Sequence, residues 1–88
     1  MATMTKLATM TWPSNEAQNL PAITEARVPY IETQISIGHT DGVADNLSPT
    51  VTTRKWSDQT TAENWANFIT TTATNAGTSV NVVITDLV

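Results

Sequence analysis

Polar and apolar positions alternate most cleanly along Tyr30-Ile31-Glu32-Thr33-Gln34-Ile35-Ser36-Ile37. Ile31, Thr33, Ile35 and Ile37 share one face, and Tyr30, Glu32, Gln34 and Ser36 share the other. A period of two predicts a strand over 27–38, buried on one side as in an antiparallel sheet. Pro29 suits a strand beginning or an edge, having no N–H to give a ladder, and Gly38 closes the run. A second strand is predicted over 5–12, ended by Pro13, with Lys6, Ala8, Met10 and Trp12 on one face. The β-branched run Thr50-Val51-Thr52-Thr53-Arg54-Lys55-Trp56 predicts a third over 50–56. Residues 79–87 predict a fourth, with Val80, Val82 and Ile84 on one face.

The period changes to that of a helix over 58–76, where Ala62, Trp65, Ala66, Ile69, Ala73 and Ala76 form an apolar stripe with Phe68 beside it. Asp58 or the Thr60-x-x-Glu63 pattern opens this helix, and Gly77 is its C-terminal cap. Residues 14–20 predict one or two helical turns behind a Ser14 cap, with Pro21 ending them. A loop of equal standing is the alternative. The 38–49 segment, with Asp41-Gly42 and Ser48-Pro49, reads as a long polar connection, mobile or used for contacts.

These elements predict one domain over 1–88. It is an α+β two-layer sandwich with an antiparallel sheet of about four strands and one main helix at about 58–76. A gapped echo of Trp12, Ala17, Asn19 and Ile23 in Trp56, Ala62, Asn64 and Ile69 suggests a degenerate ferredoxin-like repeat, a doubled β-α-β unit with a shrunken first helix.

Composition narrows the function more than the fold. Of 88 residues, 14% are charged and 18 are threonine, so neutral hydroxyls stand where charges usually do. Four basic against eight acidic residues argue against nucleic acid as a partner. The absence of cysteine excludes disulfides and thiolate metal sites. No apolar run approaches the ~20 residues of a membrane helix. The N-terminal residues lack the apolar core of a signal peptide, which predicts a protein made in a cytoplasm and not secreted by that route.

Candidate chemistry is sparse. His39 beside Asp41 has the makings of a general base and its orienting acid, but such a pair in a turn is more often solvated. Asp41, Asp45 and Asn46 lack the spacing of a calcium loop, and neither a nucleophile elbow nor a phosphate-binding glycine pattern occurs. The expectation is no enzyme, no cofactor, no metal and no small-molecule ligand. Trp65 is expected in the core with Trp56 facing it. Trp12, beside Pro13, is expected at the surface, and Trp12, His39 and Asp41 are the candidate partner contacts. Arg54-Lys55, the one basic pair, is read as a solvated strand face.

The segment Thr53-Arg54-Lys55-Trp56-Ser57-Asp58-Gln59-x-x-Ala62-Glu63-Asn64-Trp65-x-x-Phe68-Ile69 resembles a pattern in small structural and accessory proteins of tailed bacteriophages. The resemblance covers about a third of the chain and implies a structural or accessory role in a phage particle, with no catalytic residues to carry over. Few charges guard the sheet edges, so self-association or docking onto other virion proteins is expected. Two alternatives stand beside this. One is a dimeric ferredoxin-like ligand-binding protein or enzyme with a pocket lined by Trp56, Trp65 and His39. The other is a phage-encoded modulator that binds a host protein.

Overall fold

The computed structural model describes residues 3–87. The chain runs β1 (Lys6–Thr11), α1 (Asn15–Gln18), α2 (Pro21–Ser36), β2 (Ala44–Ser48), β3 (Val51–Trp56), α3 (Gln59–Asn75) and β4 (Asn81–Asp86). The sheet order is β2-β3-β1-β4, and every neighbouring pair is antiparallel. Thus β1 and β2 run parallel with β3 inserted between them, and β3 and β4 run parallel with β1 inserted. Two interleaved β-α-β units result, the ferredoxin-like arrangement the sequence suggested, but the first unit holds the full-length helix α2 in place of the expected shrunken one, so there are two main helices rather than one.

The strand faces follow from the register. Ala8, Met10, Thr52, Arg54, Trp56, Val82 and Ile84 point toward the helices, while Leu7, Thr9, Val51, Thr53, Lys55 and Val83 point to the uncovered side. α3 carries most of the contact between the layers, lying on β1, β3 and β4, with α2 packed against it. Ala62, Trp65, Ile69 and Ala73 are buried along α3, as the helical stripe predicts. Trp65 stacks on Trp56 at 5.5 Å between ring centroids and directs its Nε1–H at Met10 Sδ, 3.3 Å away. Asp58 caps α3 by accepting from the Thr61 amide at 2.8 Å, and the Thr61 hydroxyl returns toward the Asp58 amide. Gly77 follows the helix in the left-handed region at φ +82°.

The first half departs from expectation. In place of the strand predicted over 27–38, residues 21–36 form a sixteen-residue helix and residues 37 and 38 the turn after it. Pro21 starts this helix at its first turn, where a missing N–H costs nothing, so it opens α2 as well as following α1. The inward face of α2 carries Ile23, Arg27, Tyr30, Ile31 and Gln34 at helical spacing. Two of these five are polar, which hides the stripe from a hydrophobicity reading. Ile35 and Ile37, two of the four residues that produced the strand pattern, are exposed. Tyr30 decides the pairing, stacking on Phe68 with centroids 4.0 Å apart and planes at 11°. Pro29 sits inside the helix and leaves the Glu25 carbonyl without its i+4 donor.

The predicted 38–49 connection contains the fourth strand, β2, which pairs with β3 and carries an irregularity between Asn46 and Ser48. The strand count therefore holds with a different member. Asp41-Gly42 does form the turn before it. Asp41 Oδ1 accepts from the Val43 amide at 2.9 Å, and Gly42 has φ +78°. A Cβ on Gly42 would also meet the exposed Ile35 side chain, whose Cδ1 can shift away, so it is the left-handed backbone rather than space that favours glycine there.

Candidate functional site: a cleft that gathers both arginines

An open cleft of about 370 Å³ lies between α1 and α2 on one side and the β2–β3 hairpin on the other. Gln18, Arg27, Asn46, Ser48, Thr52 and Arg54 are among its lining residues. It exists because α3 covers the β1, β3 and β4 part of the sheet, whereas α2 leans on α3 and leaves the β2 side open.

Gln18 builds one wall. Ser14 caps α1 by accepting from the Ala17 amide at 3.1 Å, which fixes the next residue, Gln18, against the hairpin. Gln18 is buried, and its Nε2 donates to the Pro49 carbonyl at 2.7 Å and to Asn15 Oδ1 at 3.3 Å. Its Oε1 accepts from the Thr52 hydroxyl at 3.0 Å, and Asn46 Oδ1 lies 2.9 Å from the same hydroxyl. One side chain thus ties α1 to the turn and strand of the hairpin, and a buried amide needs such complete pairing.

The two arginines are the only ones in the chain. Arg27 comes from α2, and its Nη1 donates to the Gln18 carbonyl at 3.2 Å. Arg54 comes from β3, and its guanidinium carbon stands 5.6 Å from the centre of the Trp65 ring. Burial lowers the pKa of each below the ordinary arginine value; for Arg54 the charge of Arg27 lowers it further, while Asp41 acts in the opposite sense. Both stay cationic at neutral pH. The single ion pair among the described residues joins Lys6 and Asp86, so neither arginine has a carboxylate within ion-pair reach.

The residues singled out from the sequence go elsewhere. Trp12 is 4% exposed and belongs to the core, so the expected surface anchor is absent: the residue after β1 folds inward with the face that holds Ala8 and Met10. His39 is half-buried, with Nδ1 2.8 Å from Gln34 Oε1. Asp41 serves the turn instead, so the structure does not assemble the two into an acid–base pair. Trp56 and Trp65 are 0% and 1% exposed and stacked. They fill the space in which a pocket shared with His39 was expected. Arg54 and Lys55 do not act as a pair, because adjacent strand residues face opposite ways. Lys55 lies on the uncovered face and Arg54 lines the cleft. The cleft itself was missed, since its residues come from four separated segments and Arg27 lay in a predicted strand.

No protein-family model, curated protein or solved structure matches the chain. No helix among the described residues is long and apolar enough to cross a membrane, and no group of three or more candidate metal ligands occurs among them.

Proposed function

We propose that this chain is a non-enzymatic structural or accessory protein that works by self-association, with a phage particle as the setting its threonine-rich, charge-poor composition fits. The observation that carries this reading is the β4 edge. It is six residues long, without proline, and its one charge, Asp86, pairs within the chain with Lys6. The other edge, β2, is interrupted by its irregularity, a recognised way of blunting an edge. The Leu87 amide donates to the Thr5 carbonyl at 2.9 Å. Antiparallel alternation then turns the backbone groups of Val82, Ile84 and Asp86 outward, free to pair.

A second copy is the natural occupant, since a two-fold axis at Ile84 matches the strand to itself. That pairing makes about six backbone hydrogen bonds at ~1 kcal/mol net each, against an association cost of roughly 4–15 kcal/mol. The edge alone therefore gives a weak dimer, and assembly depends on high local concentration or on added contact from the uncovered face beside it. That face carries Leu7, Thr9, Thr53 and Val83 with Lys55 as its cation, so little charge opposes contact there.

Sedimentation of Val83→Lys beside Thr70→Lys tests the edge. The first puts a charge on β4 and the second on an exposed position of α3. Association weakened by Val83→Lys alone supports the reading, and equal behaviour of both variants with the parent chain contradicts it.

A further inference from the structure

We propose that the cleft between α1, α2 and the β2–β3 hairpin binds a phosphate-class dianion, presented as free phosphate or as the phosphomonoester of a small molecule. A chain with net charge −4 and four basic residues puts both its arginines into one cleft. Like charges held together raise the energy of the empty site unless a counter-charge joins them. Among the described residues no carboxylate lies within ion-pair distance of either guanidinium, and Asp41 offsets the charge of Arg54 only from longer range.

Donor accounting points the same way. A guanidinium offers five N–H donors in a fixed fork. Among the described residues, one of these donors, on Arg27, is used in a hydrogen bond, to the Gln18 carbonyl. Neither arginine has a nitrogen that is both sealed from solvent and unpaired, so the remaining donors reach solvent, and both side chains line the cleft. The positions are also restrained, Arg54 by the face of Trp65 and Arg27 by Gln18. Restraint before binding reduces the ordering cost of capturing a ligand.

The ligand class follows from charge and shape. Two guanidinium forks match a tetrahedral dianion, for which arginine is the preferred partner. Asn46 and Ser48 offer further polar contacts at the rim. At about 370 Å³ the cleft is in the size range of small-molecule sites, ~300–1,000 Å³, with room for an organic body beyond the phosphate. This inference is independent of self-association through β4, because it uses the opposite side of the sheet order.

The test is NMR titration of the full chain with inorganic phosphate and, separately, ribose phosphate, with chloride holding ionic strength constant and ribose as the uncharged control. The expected result is saturable shifts at the Arg27 and Arg54 side chains and at the Asn46 and Ser48 amides. Arg27→Gln and Arg54→Gln should each weaken binding about tenfold or more, equivalent to ~1.4 kcal/mol. Lys55→Gln removes the same charge from the other face and should leave affinity within about twofold, since exposed charge at a distance is screened. Arg54→Lys keeps a cation beside Trp65 if Arg54→Gln fails to fold, and should also weaken binding by loss of the fork. Equal affinity for the two probes assigns the site to phosphate alone; tighter ribose phosphate assigns part of it to the organic body, and both results support the proposal. Absence of saturable shifts with either probe at millimolar concentration, or shifts unchanged in both Arg27→Gln and Arg54→Lys, overturns it.

Discussion

Replacing Gln18 by leucine removes the side chain that holds α1 to the β2–β3 hairpin. Three contacts are lost, from Nε2 to the Pro49 carbonyl and Asn15 Oδ1 and from the Thr52 hydroxyl to Oε1. The Asn15 contact, at 3.3 Å and next to solvent, contributes least. Asn15 and Pro49 are both exposed, so water replaces their lost partner. Thr52 is 7% exposed and keeps Asn46. Two good bonds at roughly 0.5–1.5 kcal/mol each, with part of the desolvation cost of stranded groups, give a loss of about 2 kcal/mol. For a domain of this size, at ~4–8 °C per kcal/mol, the melting temperature should fall by roughly 8–16 °C. Gln18→Glu is the informative partner. It keeps an acceptor for Thr52 but loses the donor to Pro49, and it sets a carboxylate among the arginines. Because its second carboxylate oxygen then faces the Pro49 carbonyl at a buried position, it should cost at least as much stability as Gln18→Leu and should also abolish phosphate binding. Thermal unfolding by circular dichroism measures both variants. A Gln18→Leu protein within about 0.5 kcal/mol of the parent, the range of an ordinary surface change, refutes the reasoning.

Three further outcomes follow from the helices and the ion pair. Asp58→Ala, which removes the cap of α3, should cost about 1 kcal/mol in chemical denaturation, and Asp58→Asn should restore most of it. Pro29→Ala should stabilise α2 by about 1–3 kcal/mol, because it returns a donor to the Glu25 carbonyl at an exposed position; a lower unfolding midpoint contradicts an interior helical Pro29. The Asp86 carboxyl lies below its ordinary 3.8 because Lys6 donates a hydrogen bond to it and adds its charge. A carboxyl depressed in the folded state stabilises above its unfolded pKa, and that contribution disappears as pH falls through the folded value. Lys6→Met should therefore move the Asp86 titration, followed by NMR, up toward 3.8, and an unmoved titration contradicts the pairing.

The second half of the chain was legible because its local signals agree. The α3 stripe, the Asp58 cap, Gly77 and the β-branched β3 all point to the same structure, a consistency expected of a foldable sequence. The first half was misread where tertiary packing overrode local pattern. Ile31, Thr33, Ile35 and Ile37 alternate like a strand, but the pairing of Tyr30 with Phe68 and the burial of Ile23 and Ile31 fix a helix. The inner face of that helix is part polar because Arg27 lines the cleft. Placing Arg27 in the cleft thus interrupts the apolar periodicity that announces a helix. β2 was invisible for a related reason: its residues Ala44–Asn46 and Leu47 are exposed, so no buried face marks them. Trp12 was expected at the surface because it adjoins Pro13 at the strand end, whereas it shares the face of Ala8 and Met10, which the helices bury.

Absolute mass by light scattering across a wide concentration range is the most direct test of the account. The β4 edge predicts a mass that rises with concentration above the 9.5 kDa of one chain, and a Val83→Lys variant whose rise is displaced to higher concentration. A mass fixed at one chain up to the limit of solubility, in the presence and absence of phosphate, contradicts it.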